Sequence, residues 1–270
     1  MRGPLLKVRV IPTLLWKGLG LVKGVCFDSW RRVGTAMPAV KVYNSRDVDE
    51  LVLVDILATN EAQDLDYSAI AELAAECFVP FTVGGGINSL EKIQKLLRAG
   101  ADKVTINSAA FAQPDLIKEA AKCFGSQCVI VSIDAKRLPD GTYRCFSHCG
   151  QRLTVTEPAE WANRMEELGA GEILLTSIDR DGTMKGYDIP LIRRVADAVR
   201  IPVIAAGGAG NFDHMHEAII EGRASAVAAA SMFHFTELTP AQAKQFLAEK
   251  GIPVRGWMKP KGVLQRFSTA

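Results

Sequence analysis

An internal repeat limits what this chain can fold into. Residues 79–111, VPFTVGGGINSLEKIQKLLRAGADKVTINSAAF, return 122 positions later as residues 201–233, IPVIAAGGAGNFDHMHEAIIEGRASAVAAASMF. At the same spacing, residues 50–53 (ELVL) fall on residues 172–175 (EILL). Two halves of the chain therefore follow one structural plan.

Each copy of the repeat has the pattern of a β-strand, a glycine-rich turn, an amphipathic helix and a second β-strand. Such a crossover requires the two strands to be parallel. Gly85 and Gly86 in the first copy correspond to Gly207 and Gly208 in the second. Glycines directly after a strand let backbone N–H groups approach an anion such as phosphate, although a single glycine pair could equally make only a tight turn. Their duplication favours two phosphate sites.

The other periodic segments extend this pattern along the chain. The predicted strands are 7–14, 50–56, 81–83, 103–106, 128–133, 172–177, 202–205 and 225–229. The predicted helices are 40–45, 66–78, 89–99, 114–124, 156–169, 190–199, 212–221 and 240–250, with Thr156 as the N-cap of the fifth. We expect a long loop at 15–36, and a hairpin at 135–155 over the ligand-binding face. The alternation predicts an α/β fold, a (β/α)8 TIM barrel built from two duplicated half-barrels, as a single domain over residues 1–270 with a short C-terminal extension at 256–270.

Composition argues against several classes of function. The 32 basic and 30 acidic residues nearly balance and form no basic block, so we expect no nucleic-acid binding. No segment approaches the length of a membrane span, and the N-terminal segment lacks the small-residue cleavage site of a signal peptide. Six cysteines without disulfide-scaffold spacing are expected to be reduced thiols in the cytoplasm. A small metabolite is the expected ligand.

In a barrel of this type, catalytic groups lie at the C-terminal ends of the strands. The polar residues at those positions are Asp55, Asn107, Ser108, Asp134, Thr176, Ser177, Asp179, Asp181 and Ser231. Taken singly, each could be a helix cap or a turn residue. Asp134 is the exception, because it ends the apolar run VIVSI and no helix begins beside it.

Cys145, His148 and Cys149 are close enough in sequence to suggest zinc ligands, with Cys26 as a fourth. Their spacing matches no closed structural zinc site, so we expect neither a metal nor a cofactor.

Six segments carry a longer pattern: FTVGGGI (81–87), GADKVTIN (100–107), SIDAKR (132–137), GAGEILLTSIDRDGT (169–183), AAGGAG (205–210) and AASMFHF (229–235). Together they resemble the cyclase subunit of imidazole glycerol phosphate synthase, and the resemblance covers residues 7–255. It implies a duplicated half-barrel that binds a bis-phosphorylated substrate between two phosphate sites. It also implies a glutaminase partner, docked on the opposite face, whose ammonia passes through the barrel.

The resemblance assigns residues to each part of the site. One phosphate would lie near Gly84, Gly85, Gly86, Asn107 and Ser108, and the other near Gly207, Gly208, Ala230 and Ser231. The residues beside the substrate would be Lys23, Thr176 and Asp181. The ammonia gate would consist of Arg9, Glu50, Lys103 and Glu172, with Asp102 facing the glutaminase. The alternative for the four gate charges is a plug that only stabilises the barrel.

The resemblance fails at one catalytic position. The family uses two aspartates, at the ends of strands one and five, as general acid and base, and Asp134 matches the second. The family's first strand has a pattern like CLDVKDGRVVKG, whereas this chain has TLLWKGLGLVKG (13–24), which places Leu15 where the first aspartate should be. A leucine cannot carry a proton, and each acid–base group typically contributes about 10²–10⁴-fold to a rate. We therefore expect imidazole ring closure to be impaired.

Three functions remain open. The retained gate and the missing aspartate favour an ammonia-channelling subunit, similar to cyclase-like proteins of O-antigen and surface polysaccharide biosynthesis. Such a subunit, with its glutaminase, supplies an ATP-dependent sugar amidotransferase that converts an acetamido group to an acetamidino group. The second function is a true cyclase (lyase) of histidine biosynthesis. The third is a phosphosugar-binding scaffold without catalysis.

Overall fold

The predicted TIM barrel is confirmed by a computed structural model, which describes residues 7–18, 20–61 and 64–256. Its eight parallel strands are β1 (Arg9–Lys17), β4 (Leu51–Asp55), β5 (Phe81–Gly84), β6 (Lys103–Ile106), β7 (Val129–Arg137), β10 (Glu172–Ser177), β11 (Val203–Ala206) and β12 (Ala226–Ala229). They are hydrogen-bonded in the order β10-β11-β12-β1-β4-β5-β6-β7, and pairing of β7 with β10 closes the barrel. Of the predicted extension 256–270, all but Gly256 lies outside the described residues.

Eight longer helices surround the strands. They are α1 (Ala36–Ser45), α2 (Tyr67–Ala75), α3 (Leu90–Arg98), α5 (Asp115–Phe124), α6 (Pro158–Glu167), α7 (Ile189–Ala198), α8 (Phe212–Ile220) and α10 (Pro240–Glu249). The predicted N-cap Thr156 is wrong by one residue. The side chain of Glu157 instead accepts hydrogen bonds from the N–H groups of Ala159 and Glu160 at the start of α6.

Two antiparallel hairpins extend from the C-terminal ends of β1 and β7. Their other strands are β2 (Gly20–Val25) and β3 (Asp28–Gly34) in the first half, and β8 (Tyr143–Ser147) and β9 (Arg152–Leu153) in the second. The second confirms the hairpin predicted at 135–155. The loop predicted at 15–36 is wrong, because β1 runs on to Lys17 and β2 folds back along it, with Leu15 opposite Val22.

Two short helices that were not predicted from the sequence follow β6 and β12. They are α4 (Ser108–Ala112) and α9 (Ser231–Phe235), and both are five residues long. The residue before each has the same uncommon backbone conformation, with φ −115° and ψ −82° at Asn107 and φ −125° and ψ −67° at Ala230. The duplication therefore extends to the details of the turns.

The barrel interior is layered along its axis. Four charged side chains occupy the N-terminal end. Above them lies an apolar cluster of Ile11, Val52, Ile130, Leu174, Ile204, Ala226 and Ala228. A larger apolar core fills the space between the strands and the surrounding helices. No helix within residues 7–18, 20–61 and 64–256 is long and apolar enough to cross a membrane.

Candidate functional site

A cavity of about 420 Å³ opens at the C-terminal end of the barrel. The strand ends bring together most of the predicted site residues around it: Leu15, Lys23, Gly85, Gly86, Asn107, Ser108, Asp134, Thr176, Asp181, Gly207, Gly208, Ala230 and Ser231. Residues of both halves therefore line one space, with a glycine turn on each side.

The two glycine turns have equivalent geometry. Gly85 has φ +108°, and a Cβ there would lie 2.2 Å from the carbonyl oxygen of Asp55. Gly207 has φ +85°, and a Cβ there would lie 2.7 Å from the carbonyl oxygen of Ser177. Asp55 and Ser177 are themselves 122 residues apart. Both turns therefore require glycine for conformation and for close backbone approach.

Gly84 differs from its neighbours, because it is buried within β5 and does not line the cavity. A Cβ at Gly84 would lie 2.3 Å from the Cγ2 atom of Thr105 on the adjacent strand. This glycine allows β5 and β6 to pack closely.

The residues that begin the short helices also face the cavity. Asn107 donates from Nδ2 to the carbonyl oxygen of Ser132 at 3.1 Å and to Oδ2 of Asp134 at 3.2 Å. The Ser108 hydroxyl accepts a hydrogen bond from the His148 backbone N–H at 2.9 Å. In the other half, the hydroxyl of Ser231 is buried and makes no hydrogen bond within the described part of the chain.

Asp134 is a buried carboxyl group on the cavity wall. Burial, together with the nearby negative charge of Asp181, raises the pKa of Asp134 to about 7. A group with this pKa can both accept and donate a proton near neutral pH. Two further strand-end aspartates were predicted from sequence. Asp55 also lines the cavity and accepts from two backbone N–H groups of its own turn, whereas Asp179 does not line it and accepts from the Arg137 N–H.

Strand register places Leu15 and Asp134 at equivalent positions. Asp134 on β7 pairs with Thr176 on β10, and Leu15 on β1 pairs with Val54 on β4. Since Thr176 follows Val54 by 122 residues, a carboxyl and hydroxyl pair in one half corresponds to two aliphatic side chains in the other.

Lys23 and Asp181 form a buried ion pair on the cavity wall. Nζ of Lys23 lies 2.5 Å from Oδ2 of Asp181, and the lysine side chain is 2% exposed. The pair joins β2 to the loop after β10, so it ties the first-half hairpin to the second half of the barrel.

The cavity also has lining residues that the sequence did not predict: Phe27, Trp30, Thr59, Lys92, His148 and Cys149. Most come from the hairpins or from helices, so strand-end position could not indicate them.

The cysteines near the cavity are thiols. Burial raises the pKa of Cys149 to about 12, and its Sγ donates to the carbonyl oxygen of Ile56. Among the described residues, no group of three or more His, Cys, Asp or Glu side chains could hold a metal ion.

The predicted gate residues form a ring at the other end of the barrel. Each cation contacts both carboxylates: Arg9 lies 2.6 Å from Glu50 and 2.5 Å from Glu172, and Lys103 lies 3.1 Å from Glu50 and 2.6 Å from Glu172. The four side chains are at most 14% exposed. Burial alone would raise the pKa of Glu172, but its hydrogen bonds and ion pairs with Arg9 and Lys103 outweigh this and lower it.

Asp102 lies beside the ring, on the N-terminal face, and is exposed. Its Oδ2 accepts a hydrogen bond from the Phe81 N–H at 2.8 Å, and its own N–H donates to the Phe81 carbonyl. The carboxylate is therefore held in place at the surface.

Comparison with protein-family models gives a match over residues 9–239 to the family described as "Histidine biosynthesis protein". The match spans all eight barrel strands and both glycine turns. The duplicated barrel described above therefore belongs to the histidine biosynthesis protein family.

Proposed function

We propose that this protein is the barrel subunit of a glutamine-dependent amidotransferase complex. It would accept ammonia from a glutaminase at the N-terminal end of the barrel. It would release the ammonia at the C-terminal cavity to a separate sugar amidotransferase of surface polysaccharide biosynthesis. One observation carries the proposal: a complete four-charge ring accompanies a leucine at one of the two proton-transfer positions.

The ring supports an entrance better than a plug. Buried ion pairs contribute little net stability, since replacing them with well-packed apolar side chains is often neutral or stabilising. A structural plug could therefore be apolar. Paired charges can block the barrel axis and can also exchange partners. They are therefore suited to a passage that opens and closes.

The interior beyond the ring is suited to neutral ammonia. Three members of the apolar cluster, Ile11, Val52 and Leu174, each follow a ring residue by two positions along the chain. An apolar layer strongly disfavours an ammonium ion, because the ion would lose its hydration. The buried hydroxyls of Thr82 and Thr105 make no hydrogen bond to any described residue, so they can serve as polar partners along the way.

The cavity supports a phosphorylated small molecule as ligand. The turns at Gly85 and Gly207 allow backbone N–H groups to approach an anion from both sides. The buried Ser231 hydroxyl provides a further donor on the second side.

The second candidate is the true cyclase of histidine biosynthesis, and Asp134 favours it. This carboxyl has a pKa of about 7 and lies in a cavity with both glycine turns intact. Leu15 opposes it, because the first-half residue at the position equivalent to Asp134 cannot transfer a proton.

Association with the cognate glutaminase tests the proposal. At micromolar concentration, size-exclusion chromatography with light scattering should show a one-to-one complex. Asp102→Lys should weaken the complex at least about tenfold, because it reverses a charge on the docking face. Asp115→Lys, which makes the same charge change on an exposed position of α5, should leave it unchanged.

If the two proteins never co-migrate, ammonia channelling loses its basis and the phosphosugar-binding scaffold becomes the better interpretation. If they do, glutamine-dependent amidination by the sugar amidotransferase should require this chain.

A further inference from the structure

Lys92 lines the cavity beside the first glycine turn. It is the third residue of α3, and its Nζ donates to the Gly86 carbonyl oxygen at 3.3 Å. The same Nζ lies 2.8 Å from Oδ1 of Asp64, and the lysine side chain is 21% exposed. These contacts use two of the three N–H donors of the ammonium group. The third remains for a ligand in the cavity.

The equivalent position of the second half carries neither a lysine nor an arginine. His214 is in the same position of the repeat, and its N–H is bonded to the N-cap Asn211 as the N–H of Lys92 is bonded to Ser89. The ring of His214, however, accepts a hydrogen bond from the Gly210 N–H at 3.2 Å. Among the described residues that line the cavity, His214 is absent. The two anion sites therefore differ in charge.

The cavity's other lysine is less able to bind an anion. Lys23 is paired with Asp181 in a buried contact, and separating them would strand a carboxylate away from water. The partner of Lys92 is different, because the Asp64 side chain is 65% exposed and would be solvated if released. An incoming phosphate can replace Asp64 at little cost.

We propose that Lys92 is a phosphate ligand that makes the turn at Gly85 and Gly86 the stronger of the two anion sites. This rests on the proposed function only in taking the ligand to be a phosphorylated small molecule. A phosphate at this turn gains one charge-assisted hydrogen bond from Lys92. Among the described residues, the only other lysine or arginine that lines the cavity is Lys23, which is already paired.

The proposal fixes the orientation of the ligand. Asn107 lies at the end of β6, the strand next to the one that leads into this turn, and its Nδ2 donates to Asp134. The Asp134 carboxyl therefore lies next to the stronger site. A ligand with one phosphate would bind with its phosphate at Lys92 and its adjoining atoms at Asp134. Its far end would lie toward Leu15 and Ser231.

Calorimetric titration of the full chain with inorganic phosphate tests this proposal. Wild-type protein should show a tighter and a weaker site. Lys92→Met should weaken the tighter site about tenfold or more, as expected for loss of a charge-assisted hydrogen bond. Lys92→Arg should stay within a few-fold of wild type.

Lys95→Met is the matched control. Lys95 is one turn along the same helix, pairs with Glu91 at 2.8 Å and does not line the cavity. It should leave both sites unchanged. Ser231→Ala should weaken only the weaker site.

The outcomes separate the two proposals. If wild type binds phosphate at both sites and Lys92→Met behaves identically, the role of Lys92 is wrong while phosphate binding stands. If Lys92→Met and Ser231→Ala weaken the same site, the orientation is wrong. If wild type binds no phosphate, the phosphorylated ligand and the role of Lys92 both fail.

Discussion

Leu15 and Asp134 are related by the duplication, yet only Asp134 can exchange a proton. Their partners on the adjacent strands differ as well, because Leu15 pairs with Val54 whereas Asp134 pairs with Thr176. A single lost carboxylate could be compensated by a neighbouring hydroxyl, but here the neighbour is aliphatic too. Neither residue of this first-half pair can carry a proton.

The leucine leads to a prediction about rate. Given the imidazole cyclase substrate and an ammonium salt, the wild-type chain should turn over at least about 10²-fold more slowly than a family member with both aspartates. Leu15→Asp should raise the rate, whereas Leu15→Asn, of similar size but without a titratable proton, should not. Wild-type turnover within about tenfold of that enzyme would restore the histidine-pathway function.

The raised pKa of Asp134 leads to a prediction about stability. The carboxyl holds its proton more tightly in the folded protein, with a pKa of about 7 against roughly 4 in the unfolded chain. Its contribution to folding is therefore fully present below about pH 4 and is lost as pH rises through 7. Asp134→Asn stays neutral and avoids this loss.

Urea unfolding of wild type and Asp134→Asn at two pH values checks this prediction. The free energy of unfolding of Asp134→Asn minus that of wild type should be roughly 1–3 kcal/mol larger at pH 8 than at pH 5. A difference that does not change with pH would mean that Asp134 titrates as an ordinary surface carboxyl.

At the scale of elements, the repeat predicted the barrel strands well because each is an apolar run followed by a turn signal. The first-half hairpin was missed, although the duplication itself implied it once a hairpin was predicted at 135–155. The first-half segment carries glycines at 18, 20, 24 and 34, which resemble a loop. The short helices α4 and α9 are too brief for periodicity to indicate.

The candidate site was predictable only where backbone position determines function. Glycine turns and strand-end residues such as Asn107 and Ser231 follow from the βαβ pattern. Lys92 does not, because its side chain reaches the cavity from a helix, and only the packing of α3 brings it there. The pairing of Lys23 with Asp181 joins residues 158 positions apart, and no local pattern predicts it.

The glycine turns lead to a prediction at this scale. Gly85→Ala combines a positive φ with a Cβ 2.2 Å from a backbone oxygen, so it should destabilise the fold by roughly 3 kcal/mol or more. Gly251→Ala has a similar φ of +85° but open space around it, and should cost only about 1 kcal/mol. Equal losses in urea unfolding would show that close approach is not what requires glycine after β5.

At the scale of the molecule, the charged ring links residues of β1, β6 and β10 to Glu50, which directly precedes β4. Lys103→Met removes one cation and leaves Glu50 and Glu172 sharing Arg9, so it should destabilise the protein by roughly 3 kcal/mol. Lys41→Met breaks an exposed pair with Glu76 at 3.5 Å and should cost less than about 1 kcal/mol. Thermal unfolding compares the two, and similar losses would contradict a tightly coupled ring.

The ring has a connectivity that bears on how it could open. Its four contacts form a closed circuit in which every charge has two neighbours of opposite sign. Breaking any one contact turns the circuit into a linear chain, and every charge in that chain still has a neighbour. An opening can therefore form at one edge at the cost of a single ion pair, while no charge is left alone inside the barrel.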